Sequence, residues 1–265
     1  MKIFISSDME GTAGIVNWQE TEQGNKMYDH FSQQMTSEVA AACRGAFVAG
    51  AKDVLVKDAH CSARNINPEV LPRGTKILRG WTRNLYSMMA GIDDSFTAAV
   101  FTGYHSPANW DNNPLAHTMT GQISWIKING IQTSELIING WIAALFGVPL
   151  VCVTGDEGIC RQAEEIFPGV KTVPTNLGVG GACISIHPLD AVEQIEATVK
   201  EALSGDMSRY KVQLPSHFSM QMRFREHSQA YYAAQYPGVT QIDPHTIGYE
   251  TDSYLEFLRM FMFSH

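Results

Sequence analysis

The chain has 265 residues, 45% of them apolar and 17% charged, enough for one large hydrophobic core or a large domain with a small lobe. Its net charge of −8, from 19 basic against 27 acidic groups with no local Lys/Arg cluster, argues against nucleic acid as a partner. No apolar run approaches the roughly 18 residues of a membrane span, and Met1 to Asp8 lacks a signal-peptide core, so the expectation is a cytoplasmic protein with no membrane partner.

Lys2 to Ser7 reads as a first strand and Asp53 to Lys57 as a second, joined by a helix from near Asp29 to Gly50. Met35, Val39, Cys43 and Phe47 recur every fourth residue of that helix, so one stripe faces a sheet. Thr97 to Tyr104 and Leu150 to Thr154 are nearly continuous apolar strands of the kind buried on both faces, and a helix from Ser134 to Phe146 precedes the second. Gln122 to Ile128 followed by Asn129-Gly130 signals a hairpin added to the parallel strands. Pro188 opens a helix to Leu203, with His187 at its entry, and His217 to Phe224 alternates with period two as a half-exposed strand.

The expected fold is therefore α/β: a mainly parallel sheet flanked by helices, with an added antiparallel hairpin and a smaller C-terminal α+β portion. Residues 1–205 form the expected metal-binding catalytic domain, and 206–265 a small C-terminal subdomain packed as part of the same unit. The five cysteines have no C-x-x-C spacing and read mostly as small buried apolar residues. The Gly178-Val179-Gly180-Gly181 segment lacks a nucleotide fingerprint and reads as a loop, and Asp156-Glu157 reads as a helix cap. Trp81, Tyr86, Met88 and Met89 read as core or subunit interface rather than a substrate box.

Ligands of an open parallel sheet collect at the carboxyl ends of its strands, and three of these ends carry titratable groups. The first strand runs into Asp8-Met9-Glu10, the second into Asp58-Ala59-His60 and the third into His105. Residues i and i+2 of an extended chain project to one side, so Asp8 and Glu10 can converge on a point. Glu135, opening the helix after the hairpin, adds a third carboxylate. Singly, each feature suits a turn or a cap. Together, three acids and two histidines exceed one tetrahedral zinc, favour a zinc-like metal over calcium or magnesium, and suit two ions sharing a carboxylate. His117, in the loop before the hairpin, is placed to donate a proton or stabilise an oxyanion.

Five motifs resemble a known family: Ser7-Asp8-Met9-Glu10-Gly11, Lys57-Asp58-Ala59-His60, Gly91-Ile92-Asp93-Asp94-Ser95-Phe96, Gly103-Tyr104-His105 and Ala116-His117-Thr118-Met119. Their order and spacing are similar to those of the D-aminopeptidases of the dipeptide-transport operon, the DppA-type zinc aminopeptidases, from residue 1 to about 165. The resemblance implies release of N-terminal residues, D-amino acids by preference, from short peptides. It also implies two Zn2+ per subunit and a homodecamer of two stacked five-subunit rings. By position, Asp8 resembles the ligand shared by both zincs, Glu10 and His60 the partners on one, and His105 and Glu135 those on the other. His117 resembles the catalytic histidine. Ser134-Glu135-Leu136-Ile137-Ile138-Asn139-Gly140 departs from the family's G-E-x-G-x-N-A. A two-metal amidase or phosphoesterase, or a non-catalytic metal-dependent peptide-binding protein, are the alternatives.

Overall fold

The computed structural model describes residues 1–264. Strands β1 (Lys2–Ser7), β2 (Asp53–Asp58), β3 (Thr75–Leu78) and β4 (Ala98–Tyr104) come first, with helix α1 (Tyr28–Val48) between β1 and β2. A hairpin of β5 (Ile123–Ile128) and β6 (Ile131–Gln132) leads to α2 (Glu135–Leu145), β7 (Leu150–Asp156) and α3 (Glu157–Ile166). Then follow β8 (Lys171–Val179), β9 (Ala182–Ser185), α4 (Pro188–Leu203), β10 (Phe218–Phe224), α5 (His227–Ala233), β11 (Thr240–Asp243), β12 (Thr246–Thr251) and α6 (Tyr254–Ser264).

Seven strands form one sheet in the order β3-β2-β1-β4-β7-β8-β9, parallel except for β9. Its central strands read as unbroken apolar runs because both faces are covered, yet period two still sorts their side chains. Ile3, Ile5, Ala98 and Val100 pack with α1 and α4 on one face, whereas Phe4, Ala99 and Phe101 join a second core. That second core is closed by α2, α3, α6 and an antiparallel sheet ordered β11-β12-β10-β5-β6. Ile126, Ile128, Met220, Met222 and Ile247 supply its inward face. The antiparallel sheet draws β5 and β6 from inside the first 205 residues and β10 to β12 from beyond them.

Gly178 and Val179 end a nine-residue strand and Gly180-Gly181 turn it into β9, so the glycine-rich segment is half of a hairpin rather than a loop. Gly180 supplies the φ of +59° that this turn requires. The short strands β3, β9 and β11 sit at sheet edges with partly exposed residues, which leaves them without a full alternating signal. His187 and Asp156 are helix N-caps, accepting from Leu189 N and Ile159 N respectively. No helix among the described residues is long and apolar enough to cross a membrane.

The middle order β2-β1-β4 fixes where the site forms. Ser7 is level with Asp58 on one side and Thr102 on the other, so the ends of three neighbouring strands meet at one rim. There the β1 and β4 extensions press together: Gly11 N donates to Gly103 O at 2.8 Å, and a Cβ on Gly11 would lie 1.8 Å from Tyr104 O. Gly103, at φ +68°, faces Asp8 O so closely that its own Cβ would lie 2.3 Å away. The glycines beside Glu10 and before His105 are thus what lets the two ligand-bearing segments approach.

Candidate metal centre

The structure brings all six singled-out residues into one cavity wall and its immediate floor. Asp8 and Glu10 leave β1, His60 leaves β2, His105 leaves β4, and Glu135 is the first residue of α2 behind its N-cap Ser134. Asp8 Oδ1 lies 3.4 Å from His60 Nδ1, and Asp8 Oδ2 lies 3.5 Å from His105 Nε2. His60 Nδ1 also reaches Glu10 Oε2 at 3.0 Å, and His105 Nε2 reaches Glu135 Oε1 at 3.6 Å. Three donor groups result, Asp8/Glu10/His60, Asp8/His105/Glu135 and Glu10/His105/His117, with donor atoms in each lying within 4.8 Å of one another, and Asp8 is common to the first two.

Each histidine has one ring nitrogen committed to a backbone carbonyl. His60 Nε2 meets Thr21 O at 2.9 Å, His105 Nδ1 meets Ser106 O at 2.9 Å, and His117 Nδ1 meets Leu115 O at 2.9 Å. A carbonyl only accepts, so the committed nitrogen carries the proton and the other nitrogen turns a lone pair to the carboxylates when the ring is neutral. This outer-shell arrangement orients imidazoles for metal ligation.

The charges support the same reading. Asp8, Glu10 and Glu135 are buried, and among the described residues no lysine or arginine pairs with them. Burial and then the Glu10 charge hold Asp8 well above the usual carboxylate range. Burial raises Glu10 as well, but the adjacent His60 outweighs it and holds that carboxyl well below its usual range. Burial also opposes charge on His105, yet Glu135 beside it draws that imidazole well above its usual value. Without a cation, protonated imidazoles are the sole positive partners of three buried acids. Asp8 Oδ2 and His105 Nε2 still have no hydrogen-bond partner. Orphaned buried polar atoms facing each other inside a mixed imidazole and carboxylate set fit divalent metal of the zinc type.

His117 lies outside the two triads that share Asp8, although its donor atom also groups with those of Glu10 and His105. Its Nε2 is 3.7 Å from Glu135 Oε1 and 3.9 Å from Glu10 Oε1, while its ring stacks on His105 and meets the edge of Trp18. Burial and the neighbouring His105 hold it below the usual imidazole value. Asp58, by contrast, turns away from the centre to accept from Asn65 N, Asn65 Nδ2 and Ile66 N, and Asn65 Nδ2 in turn donates to His60 O. Asp156 accepts from Ser106 N, Ser106 Oγ and Asn113 Nδ2, and Asn113 donates on to Glu10 O.

The open side is a cavity of about 290 Å³ walled by Trp18, Trp81, Met88 and Met119 besides the donors. Trp81 and Met88 therefore line the site, where composition alone suggested core or subunit interface. Trp18 and Trp81 carry no spacing signal that links them to the metal residues, whereas Met119 sits two residues beyond His117 in the same motif.

A profile of the family described as Peptidase_M55, D-aminopeptidase, matches residues 1–263, well beyond the 165 residues of motif likeness. A D-aminopeptidase of Bacillus subtilis (strain 168) is 28% identical over 239 residues, 90% of this chain and 86% of that protein. Among solved structures, the Zn-dependent D-aminopeptidase DppA from Bacillus subtilis, described as a self-compartmentalizing protease, matches with a TM-score of 0.93. Identity there is 26%, over 100% of this chain and 96% of that one.

Proposed function

Because the chain belongs to the D-aminopeptidase family Peptidase_M55, we propose that it is a two-zinc aminopeptidase hydrolysing the first peptide bond of short peptides with an N-terminal D-amino acid. The observation that carries this reading is the pair of buried donor triads sharing Asp8. Asp8, Glu10 and His60 would hold one ion, and Asp8, His105 and Glu135 the other. When bound, zinc supplies Lewis acidity toward the scissile carbonyl and a lowered pKa for the attacking water.

The chain's own residues account for orientation and proton movement. With Nδ1–H committed to Leu115 O, neutral His117 offers Nε2 as a base that takes the proton of the attacking water. The same nitrogen then returns that proton to the leaving amine. Glu135 is braced by Met119 N, which donates to its Oε1 at 2.6 Å, so the carboxylate is held while the loop bearing His117 stays in register with it. Trp18 and Trp81 narrow the approach.

The zinc dependence and the enclosed assembly named for the Bacillus subtilis relative support extending both to this chain, as a cytoplasmic homodecamer of two five-subunit rings. The test is release of alanine from D-alanyl and L-alanyl dipeptides by zinc-loaded protein, with a chelated sample as the blank. Zinc-dependent release of D-alanine is expected. Release of L-alanine alone would remove the chirality, and release of neither would remove the peptidase reading.

A further inference from the structure

A second cavity, of about 310 Å³, opens beside the metal cavity and shares Trp81 and Met119 with it. Helix α2 links the two: Glu135, Ile138, Asn139 and Ile142 fall at helical spacing on one face, so the face that presents Glu135 to the centre continues as cavity wall. Ile142 stands seven residues beyond Glu135, about 10 Å along the helix axis, the span of roughly three extended residues. Leu258, Phe261 and Met262 of α6 close the far side.

Trp81, in the partition between the cavities, is held from two sides. Trp81 Nε1 donates to Cys61 O at 2.7 Å, and the buried Lys57 amine donates to Gly80 O at 3.0 Å while lying 4.3 Å from the centre of the Trp81 ring. The two chambers also differ in charge. Besides the metal donors the first cavity carries Glu22, whereas among the described residues the one titratable side chain lining the second is Arg83. Arg83 is exposed, five residues after β3 and ahead of the 3-10 turn Ser87–Met89, in a left-handed conformation, φ +57°, and forms no ion pair among the described residues.

We propose that this second cavity binds the part of the peptide that follows the scissile bond, taking an apolar second residue against Met119, Ile142 and Leu258, with the peptide's free carboxylate met by Arg83. This rests on the aminopeptidase reading above. A free peptide ends in a carboxylate, and Arg83 is the cationic side chain the second chamber presents to it; with Asp8, Glu10 and Glu135 committed to the ions, Glu22 is the carboxylate left to meet the ammonium. Within the short peptides already assigned, the cavity therefore discriminates a free C-terminal carboxylate from a blocked one.

The experiment compares kcat/KM on alanyl-leucine of the accepted chirality, its C-terminal amide, and alanyl-glycine, for the parent, Arg83→Met, Arg83→Lys and Met262→Trp, with a melting temperature for each. The parent is expected to favour the acid over the amide, and leucine over glycine, each by about tenfold. R83M should collapse the acid-to-amide ratio mainly through KM, and R83K should restore part of it. M262W, which fills the cavity, should lower the leucine-to-glycine ratio. Equal turnover of acid and amide, or of leucine and glycine, by the parent would overturn the inference while leaving the aminopeptidase reading intact. A parent that hydrolyses none of the three would remove that reading, and this inference with it.

Discussion

The rings of His105 and His117 stack with centroids 4.3 Å apart and planes 10° from parallel. Two imidazolium rings in that contact would repel, so a cation near His105 keeps His117 neutral and able to accept a proton. His117→Ala should therefore lower kcat by about 10²–10⁴-fold, the range for loss of a general base. Bound zinc, read by elemental analysis, should be unchanged in that variant. Loss of metal along with activity would make His117 a ligand instead.

The donor set predicts a large effect of metal on stability. Chelation leaves three buried carboxylates facing each other, and binding to the folded state alone stabilises by about 4 kcal/mol at a thousandfold excess over Kd. Thermal denaturation with and without chelator should show a marked fall in melting temperature on metal removal. An unchanged transition would mean the cluster is satisfied without an ion.

Glu38 on α1 gives a pH dependence independent of the metal. Burial pushes its carboxyl up to about 7, against the acceptor bonds from Gln34 and Ala13 that pull the other way. The folded chain then holds a proton that the unfolded chain releases near its ordinary value. Stability from this group should fall as pH rises from roughly 4.5 to 7, by about 3 kcal/mol, and stay flat above. Glu38→Gln should remove that slope, so its difference from the parent in chemical denaturation should grow between pH 5 and 8 in favour of the variant. A constant difference would contradict the assignment.

Gly140 occupies the position where the family pattern has alanine, and the structure gives the reason. A Cβ there would lie 2.2 Å from Phe167 Cζ, so the ring of Phe167 fills the space an alanine would use. Gly140→Ala should destabilise by about 1–3 kcal/mol despite its better helix propensity. Combining it with Phe167→Leu should recover part of the loss.

Asp156 holds the turn after His105 and caps α3, accepting from Ser106 and from Ile159 N. Removing it strands several buried donors, and Asp156→Ala should cost about 2–4 kcal/mol in denaturation. A loss under 1 kcal/mol would show that water replaces the carboxylate.

The sheet and its rim were legible because period-two burial and strand ends are local in sequence. Asp8, Glu10, His60 and His105 could be singled out from those ends alone, and Glu135 from its place at a helix start. The order β2-β1-β4 that gathers them is set by crossovers, which leave no trace in any one segment. Trp18 escaped because the short 3-10 helix that carries it has no periodic signal, and Trp81 read as core or interface because its position is set by a buried lysine beneath it. The strands β11 and β12 were missed because β11 is an exposed edge whose pairing with β12 slips register.

The most direct test of the shared Asp8 is zinc stoichiometry on the purified protein and its ligand variants. The parent should bind two ions per chain, Glu10→Ala and Glu135→Ala one each, and Asp8→Ala neither with high affinity. A parent that holds a single ion, or an Asp8→Ala variant that keeps two, would contradict the two-metal centre.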